Sequence, residues 1–415
     1  MFAILSTYNL MMQLIIRLYL FLQLHFELIL TSFIIYVLFL ITYIKIKYPF
    51  WSLQPMFHNY DIWRHFYRTY HVINKNNRKL ERFYQPLIKT QKYNDFIDQI
   101  DELVDFIHCN YIESDKVIMT ATKTFYDSYF TGRLEPSFVS TLRDKMINPS
   151  LIACMTSRLL HLYQNNTDHN IYYIDATCIK RGTQNSDTIY HELFHTHLFN
   201  QISMSPGVKS FIFKKEFDLI DGLIPLIKFS SYLFHVNKPF VNKNFLPKNL
   251  KCTKINKINF SLLSDFIDHI SKNDELFECK LFPDLSTLST LLNDKEYFVY
   301  CLQNDDNHIL GFYFFKNTHI QYEDYDDDVY QLVSSYINTK SVEIFFNGFI
   351  KAIQLLDQES HISLMLLDHI SHNSLLLEKL LNNHHIIFKN DCAYYVYNTI
   401  IPNMPLLAQN CFCLM

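Results

Sequence analysis

The first 44 residues of the chain hold only three side chains that carry charge or titrate near neutral pH: Arg17, His25 and Glu27. Within that stretch, Leu28 to Ile44 is an unbroken run of seventeen uncharged, mostly apolar residues, at the short end of what crosses a bilayer as a helix. In hydrocarbon every backbone N–H and C=O must be satisfied inside the segment, so a helix is the conformation open to a single run of this kind. A cleaved signal peptide fits less well, because no basic region opens the chain and no small-residue cleavage site follows the run. Arg17 precedes the run, while Lys45, Lys47, Arg64 and Arg68 follow it. By the positive-inside rule this makes a single-pass anchor with everything after Ile44 in the cytosol. Leu10 to Phe26 reads as an interfacial helix or as half of a hairpin.

The remaining length allows two or three domains, and a hydrophobic content of 49% is ample for their cores. A formal charge of -4 leaves no electrostatic footprint for nucleic acid. Nine scattered cysteines do not form a disulfide framework, which favours a reducing compartment. Cys411 and Cys413 cannot make a zinc site by themselves, since four ligands are needed.

Past the anchor, Asp61 to Lys92 is basic and aromatic, a composition suited to anionic lipid close behind a membrane helix. Leu103, Phe106 and Ile107 have helical spacing before a polar break at Asn110 to Asp115. Ile171 to Ile179 reads as a central strand, Arg181 to Asp187 as a polar loop, and Thr188 to Gln201 as a helix. Phe211 to Glu216 and Leu223 to Ile227 read as further strands. Val236 to Asn259, with six lysines and two prolines, reads as a linker. Beyond it come a hairpin (Tyr297 to Leu302 and Ile309 to Phe315), a helix at Phe345 to Leu356, a strand at Ile362 to Leu367, a helix at Asn373 to Asn382 and a strand at Ala393 to Asn398. The tail from Ile400 to Met415 is apolar to its last residue, whereas most chain ends are polar and frayed. Such a tail should be buried, and would carry an α-carboxylate inward.

One motif points to metal chemistry. His191-Glu-Leu-Phe-His195 matches the zinc protease pattern H-E-x-x-H, with both histidines on one helical face, Glu192 as base and Glu216 as a third ligand.

A different set of motifs runs the length of the chain. Leu367-Asp368, Leu377-Glu-Lys-Leu380, Tyr394 to Asn398 and Pro402-Asn-Met404 stand in the order seen at the C-terminal end of the N-myristoyltransferases, ahead of a tail of similar length. Phe50-Trp-Ser-Leu-Gln-Pro-Met56 is similar to that family's entry motif, with Leu53 for Thr and Met56 for Val. Asn110-Tyr-Ile-Glu-Ser-Asp115 resembles its acidic segment, with Ser114 departing. Asp175-Ala-Thr-Cys-Ile179 fits its Asn-Phe-Leu-Cys-Val strand, whereas Gln184 to Ile189 departs from its basic loop.

The resemblance implies an α+β fold of two tandem GNAT-like (acyl-CoA N-acyltransferase) halves behind the membrane helix. Residues 1–46 would be the anchor, with its transmembrane helix at about 28–44. Residues 47–235 would form the acyl-CoA-binding half, 236–260 the linker, and 261–415 the half that binds peptide and ends in the catalytic terminus. The Met415 α-carboxylate would be the general base, and the backbone N–H groups of Ala176 and Thr177 the oxyanion hole. Phe50 and Trp51 would lie over CoA, and Asn185, Ser186, Asp187 and Thr188 would meet its phosphates at a helix N-terminus. Tyr111, Glu113 and Asp115 would face the peptide. The implied reaction transfers a fatty acyl group from myristoyl-CoA or a similar acyl-CoA to an N-terminal glycine, by a monomer that needs no metal. A catalytically degenerate acyl-CoA or peptide-binding module, a transferase of shorter acyl groups and the zinc peptidase are the alternatives.

Overall fold

The computed structural model describes residues 2–77, 79–112, 116–131, 135–145, 149–236, 246–325, 327–382 and 386–415, with side-chain surroundings from Ile15 onward. It opens with one continuous helix, α1 (Phe2–Lys47), so Leu10 to Phe26 belongs to the same helix as the apolar run after it. From Ile15 to Lys47 this helix is long and apolar enough to cross a membrane, and its most apolar window is unburied. Its last turn is part of the folded body. Ile44 is 2% exposed and sits on Gly222, where an added Cβ would come within 2.5 Å of Ile44 Cγ1. Asp221 beside it accepts from Lys47 Nζ at 2.8 Å and Tyr48 Oη at 3.3 Å.

The body is built from helices α2 (Ile100–Asn110) and α3 (Lys123–Phe130), strands β1 (Phe138–Arg143), β2 (Leu151–Gln164) and β3 (Thr167–Ile179), helix α4 (Ser186–Met204), and strands β4 (Phe211–Glu216) and β5 (Ile227–His235). There follow β6 (Leu250–Lys254), α5 (Phe260–Ser271), β7 (Cys279–Phe282), α6 (Leu285–Asn293), β8 (Tyr297–Asn304), β9 (Ile309–Asn317) and β10 (Tyr330–Ile337). Then α7 (Val342–Ser360), β11 (Leu364–Asp368), α8 (Asn373–Leu381), β12 (Ile386–Tyr397) and β13 (Cys411–Cys413) complete it. The strands form one sheet in the order β13-β7-β2-β3-β4-β12-β5-β11-β10-β9-β8-β6, with β1 on the free stretch of β2. Most neighbours are antiparallel, but β3 and β4 are parallel, and so are β10 and β11. A helix makes each of these crossovers, α4 in the first half and α7 in the second, because parallel neighbours need a long connection.

Both of these pairings are short, as is the third parallel pairing, of the tail strand β13 with β7. β3 pairs with β4 only over Tyr172–Ile174, and β10 with β11 only over Tyr330–Leu332. Beyond those points the strands diverge, which makes two equivalent openings in one sheet. Between them the halves exchange strands. β12 of the second half lies between β4 and β5, and β5 of the first half lies between β12 and β11. The opening beside β10 is filled by the tail, whose Cys413 N–H donates to Ser334 Oγ at 3.1 Å while the Ser334 hydroxyl donates to Cys413 O at 2.8 Å.

Two stretches differ from the sequence reading. Leu223 to Ile227 is not a strand; pairing begins at Ile227, after Pro225, which has no N–H for a ladder. Tyr330–Ile337 carries no sequence signal because its buried middle is Ser334 and Ser335; the Ser334 hydroxyl bonds to the tail, and the Ser335 backbone N–H donates to Ser371 Oγ. Within the lysine-rich segment after Val236, Leu250–Lys254 forms the edge strand β6.

α7 lies close on the sheet at Gly348, where an added Cβ would meet Tyr313 Oη at 2.5 Å and Leu302 Cδ2 at 2.7 Å. Both neighbours are fully buried, and Tyr313 Oη is held by Phe345 O at 2.6 Å. In an exposed helix Gly→Ala gains up to about 1 kcal/mol. Here overpacking reverses the sign, and Gly348→Ala is expected to lose about 1–3 kcal/mol in urea unfolding of the detergent-solubilised chain.

Candidate active site

Where β3 leaves β4, its ladder with β2 carries a bulge. Cys178 pairs with Cys154 and Asp175 with Thr156, so Ala176 and Thr177 together oppose Met155. Ala176 has φ +33, a conformation that turns its peptide out of the ladder. The Ala176 N–H donates to Asp175 Oδ1 at 3.0 Å, and Asp175 Oδ2 accepts from Arg158 Nε at 3.3 Å. Arg158 is 2% exposed, its guanidinium lies over the rings of Tyr129 and Tyr173 at 4.7 and 5.2 Å, and its Nη2 has no hydrogen-bond partner among the described residues. Asp175 holds it charged against the effect of burial.

A polar cavity of about 60 Å³ reaches β3 at Tyr173 and is lined by Tyr173, Lys214, Lys316, Gln331, Asp368 and Met415 among others. That is room for a few waters or an ammonium group. Met415 closes one side. Its backbone oxygen accepts from Tyr297 Oη at 3.0 Å and from Lys316 Nζ at 3.3 Å. Opposite stands Asp368, 2% exposed, which accepts from Ser231 Oγ and from Gln331 Nε2 at 2.7 Å. Burial pushes its carboxyl up, and the Lys214 charge opposes that shift. Lys214 Nζ pairs with Glu216 at 2.6 Å and stays charged, because Asp368 and Glu216 outweigh burial. Lys316 goes the other way. Burial, reinforced by Arg158 and Lys214, brings its ammonium down to about 8 despite Asp175 and Glu296.

No protein-family model and no curated protein matches the sequence. Solved structures do. Saccharomyces cerevisiae N-myristoyltransferase with bound myristoyl-CoA superposes with a TM-score of 0.66 at 12% identity, over 87% of this chain and 90% of that one. A second structure of that yeast protein with myristoyl-CoA gives the same score and identity over 94% of its length. A third, which also holds inhibitors, does so over 91%. The chain has the N-myristoyltransferase fold.

On that fold the sequence-predicted residues fall into three places. Ala176 and Thr177, 239 and 238 residues before Met415 in sequence, come with it to the two ends of one region, joined through Arg158, Tyr129 and Lys316, which lies 5.0 Å over the Tyr129 ring. Asn185, Ser186, Asp187 and Thr188 form the start of α4 on the loop after β3, with Asn185 left-handed at φ 58 and Asp187 as the acid in the first turn. Phe50 and Trp51 are buried against α4, Phe50 stacked on His191 at 4.1 Å and Trp51 on Phe213 at 5.4 Å. Tyr111 lies just past the end of α2, its phenol pushed up by burial and by the Asp175 and Glu216 charges, with Lys214 opposing. Glu113 and Asp115 lie outside the described residues.

The histidine motif is engaged elsewhere. His195 is 2% exposed and accepts the Leu80 N–H on Nε2 at 3.0 Å, Glu192 accepts from Gln85 at 3.3 Å, and Glu216 is paired with Lys214. Among the described residues no three His, Cys, Asp or Glu side chains converge as a metal site.

Sequence reasoning missed Arg158, Lys214 and Lys316, and gave Asp368 no role. The available signal was a charge inside an otherwise apolar strand, as in Phe211-Ile-Phe-Lys214 and Phe312-Tyr-Phe-Phe-Lys316, since such charges are rarely buried without partners.

Lys316 binds its proton less tightly in the folded chain than in the unfolded one, where lysine titrates near 10.4. Below pH ~8 both states are protonated and the native state bears the cost. From about 8 to 10.4 the unfolded chain holds more protons, so this group adds stability as pH rises. The stability of Lys316→Met relative to the parent should therefore fall by about 1–3 kcal/mol between pH 7 and 9.5 in urea titrations. Equal differences at both pH values would remove the buried ammonium.

Proposed function

We propose that this chain transfers a fatty acyl group from an acyl-CoA such as myristoyl-CoA to the N-terminal glycine amine of a peptide or protein. The observation that carries the reading is that the Met415 end of the tail shares a cavity with Tyr173 of β3 and is linked to the bulge just beyond it through Lys316, Tyr129, Arg158 and Asp175. The N-myristoyltransferase structures that share the fold hold myristoyl-CoA.

In this reading the thioester carbonyl lies at the bulge, and its oxygen takes the Ala176 and Thr177 N–H groups as negative charge develops on it. The CoA phosphates sit at the start of α4, where unpaired N–H groups and the helix dipole favour anions, with Phe50 and Trp51 packed behind. The peptide approaches past Tyr111, with Glu113 and Asp115 as an acidic rim for basic residues. Its terminal ammonium, of ordinary pKa about 8, loses a proton to the Met415 α-carboxylate. The amine then attacks, the C–N bond forms, the C–S bond breaks and CoA leaves as a thiolate that takes up a proton. A carboxylate of ordinary pKa near roughly 3.5 is a weak base, and desolvation in the cavity raises its basicity. The enzyme is a monomer held to a membrane by α1, with the body on the cytosolic side.

A second reading, a binding module that has lost turnover, is favoured by two carboxylates. Asp175 covers the Ala176 N–H, and Asp187 puts negative charge in the first turn of α4.

The test is transfer of labelled acyl group from myristoyl-CoA to a glycine-initiated peptide. One residue added after Met415 moves the carboxylate by up to roughly 3.5 Å, and should reduce turnover by ~10²–10⁴-fold while myristoyl-CoA binding survives. Full activity of the extended chain would sink the carboxylate mechanism.

Asp175→Asn gives a discriminating second arm. It keeps the side-chain shape, removes the charge beside the nascent oxyanion and weakens the hold on the Ala176 N–H. Turnover should rise about tenfold, the effect of ~1.4 kcal/mol. A fall in turnover would mean that Asp175 serves the reaction as a carboxylate.

A further inference from the structure

Around the point where α1 enters the body lies a surface the acyl-transfer reading does not use. The helix is not followed by a flexible tether. Its last turn is fixed by Ile44 on Gly222 and by Lys47 on Asp221, and the chain passes directly into the short helical turn Trp51–Leu53. The next segment returns to the same loop, with Asn59 N–H donating to Gly222 O at 2.9 Å and His58 bridging to Leu223. Four residues beyond Asn59, the turn Ile62–Phe66 displays Trp63 at 82% exposure and Phe66 at 65%, with ring centroids 6.5 Å apart. Ile46 and Phe217, on the helix end and the other side of the loop, are 76% and 64% exposed. Of the charges near them, Asp61 is paired with Arg64 and Asp221 with Lys47, while Lys45, Arg68 and, next to Phe217, Asp218 stand exposed.

A tryptophan this exposed next to the end of an apolar helix matches the aromatic belt of membrane–water interfaces, where an amphipathic ring sits at headgroup depth. Because α1 is clamped at its last turn, inserting it brings this loop to the interface without further freedom. We infer that the face carrying Trp63 and Phe66 rests in the headgroup layer of the bilayer that α1 crosses, so that the body is docked on the lipid surface at a fixed tilt. This rests on α1 being inserted and is independent of the acyl-transfer reading.

The test uses the full chain reconstituted in phosphatidylcholine–phosphatidylserine vesicles. The protein has two tryptophans, and Trp51 is buried in the core at 7% exposure, so the parent spectrum minus that of Trp63→Phe reports Trp63. Replacing part of the phosphatidylcholine by a lipid brominated high on its acyl chain should quench that difference spectrum by about half or more, with emission blue-shifted from that of a water-exposed indole. A Trp63 signal with water-like emission, unaffected by bromine in a chain that resists carbonate extraction, would overturn the docking while leaving α1 inserted. A chain released by carbonate would overturn both. Neither result depends on turnover, so an inactive enzyme still decides the question.

Discussion

The exchange of strands at the centre of the sheet is the constraint on which the rest of this structure depends. β12 can pair with β4 and β5, and β5 with β12 and β11, only when both halves are present. Each half therefore completes its neighbour's hydrogen bonds, and neither sheet has an unpaired edge at the middle. The exchange also sets the spacing of the two openings at β3 and β10, because three strand intervals separate β4 from β11. Exchange of this kind makes folding strongly non-local, since β12 must find partners more than 150 residues earlier.

What the two openings hold is electrostatic. A bulge turns the Ala176 peptide out of the ladder on one side, and the tail brings Met415 to the other. Between them are Arg158, Lys214 and Lys316 with Asp175, Asp368 and Glu216. Buried charges cost several kcal/mol each unless paired, so this network persists only because nearly every member has an opposite charge or a donor in reach. Lys316, which faces a backbone oxygen and an aromatic ring, carries most of the unmet cost, and its lowered proton affinity follows from that.

The N-terminal helix meets the body through small, close contacts. Gly222 lacks the Cβ that would collide with Ile44, and its left-handed backbone, φ +88, turns the loop toward Asn59. One glycine thus seats the helix and brings the Trp63 turn beside it.

Local elements and their chemical tone are written in neighbouring residues. The apolar run from Leu28 to Ile44, the strand at Ile171 to Ile179, the helices at Thr188 to Gln201 and Phe345 to Leu356, and the inward tail were legible because each is encoded by the pattern of neighbouring residues. The tertiary structure alone decided which of these meet. Tyr330–Ile337 was invisible because Ser334 and Ser335 are buried against the tail and Ser371, partners separated from them by 36 residues or more. Arg158, Lys214 and Lys316 read as stray charges in apolar strands until the strand order brought them to one cavity. The H-E-x-x-H pattern shows the converse. Its spacing is local, but the group that meets His195 Nε2, the Leu80 N–H, comes from a segment 115 residues away.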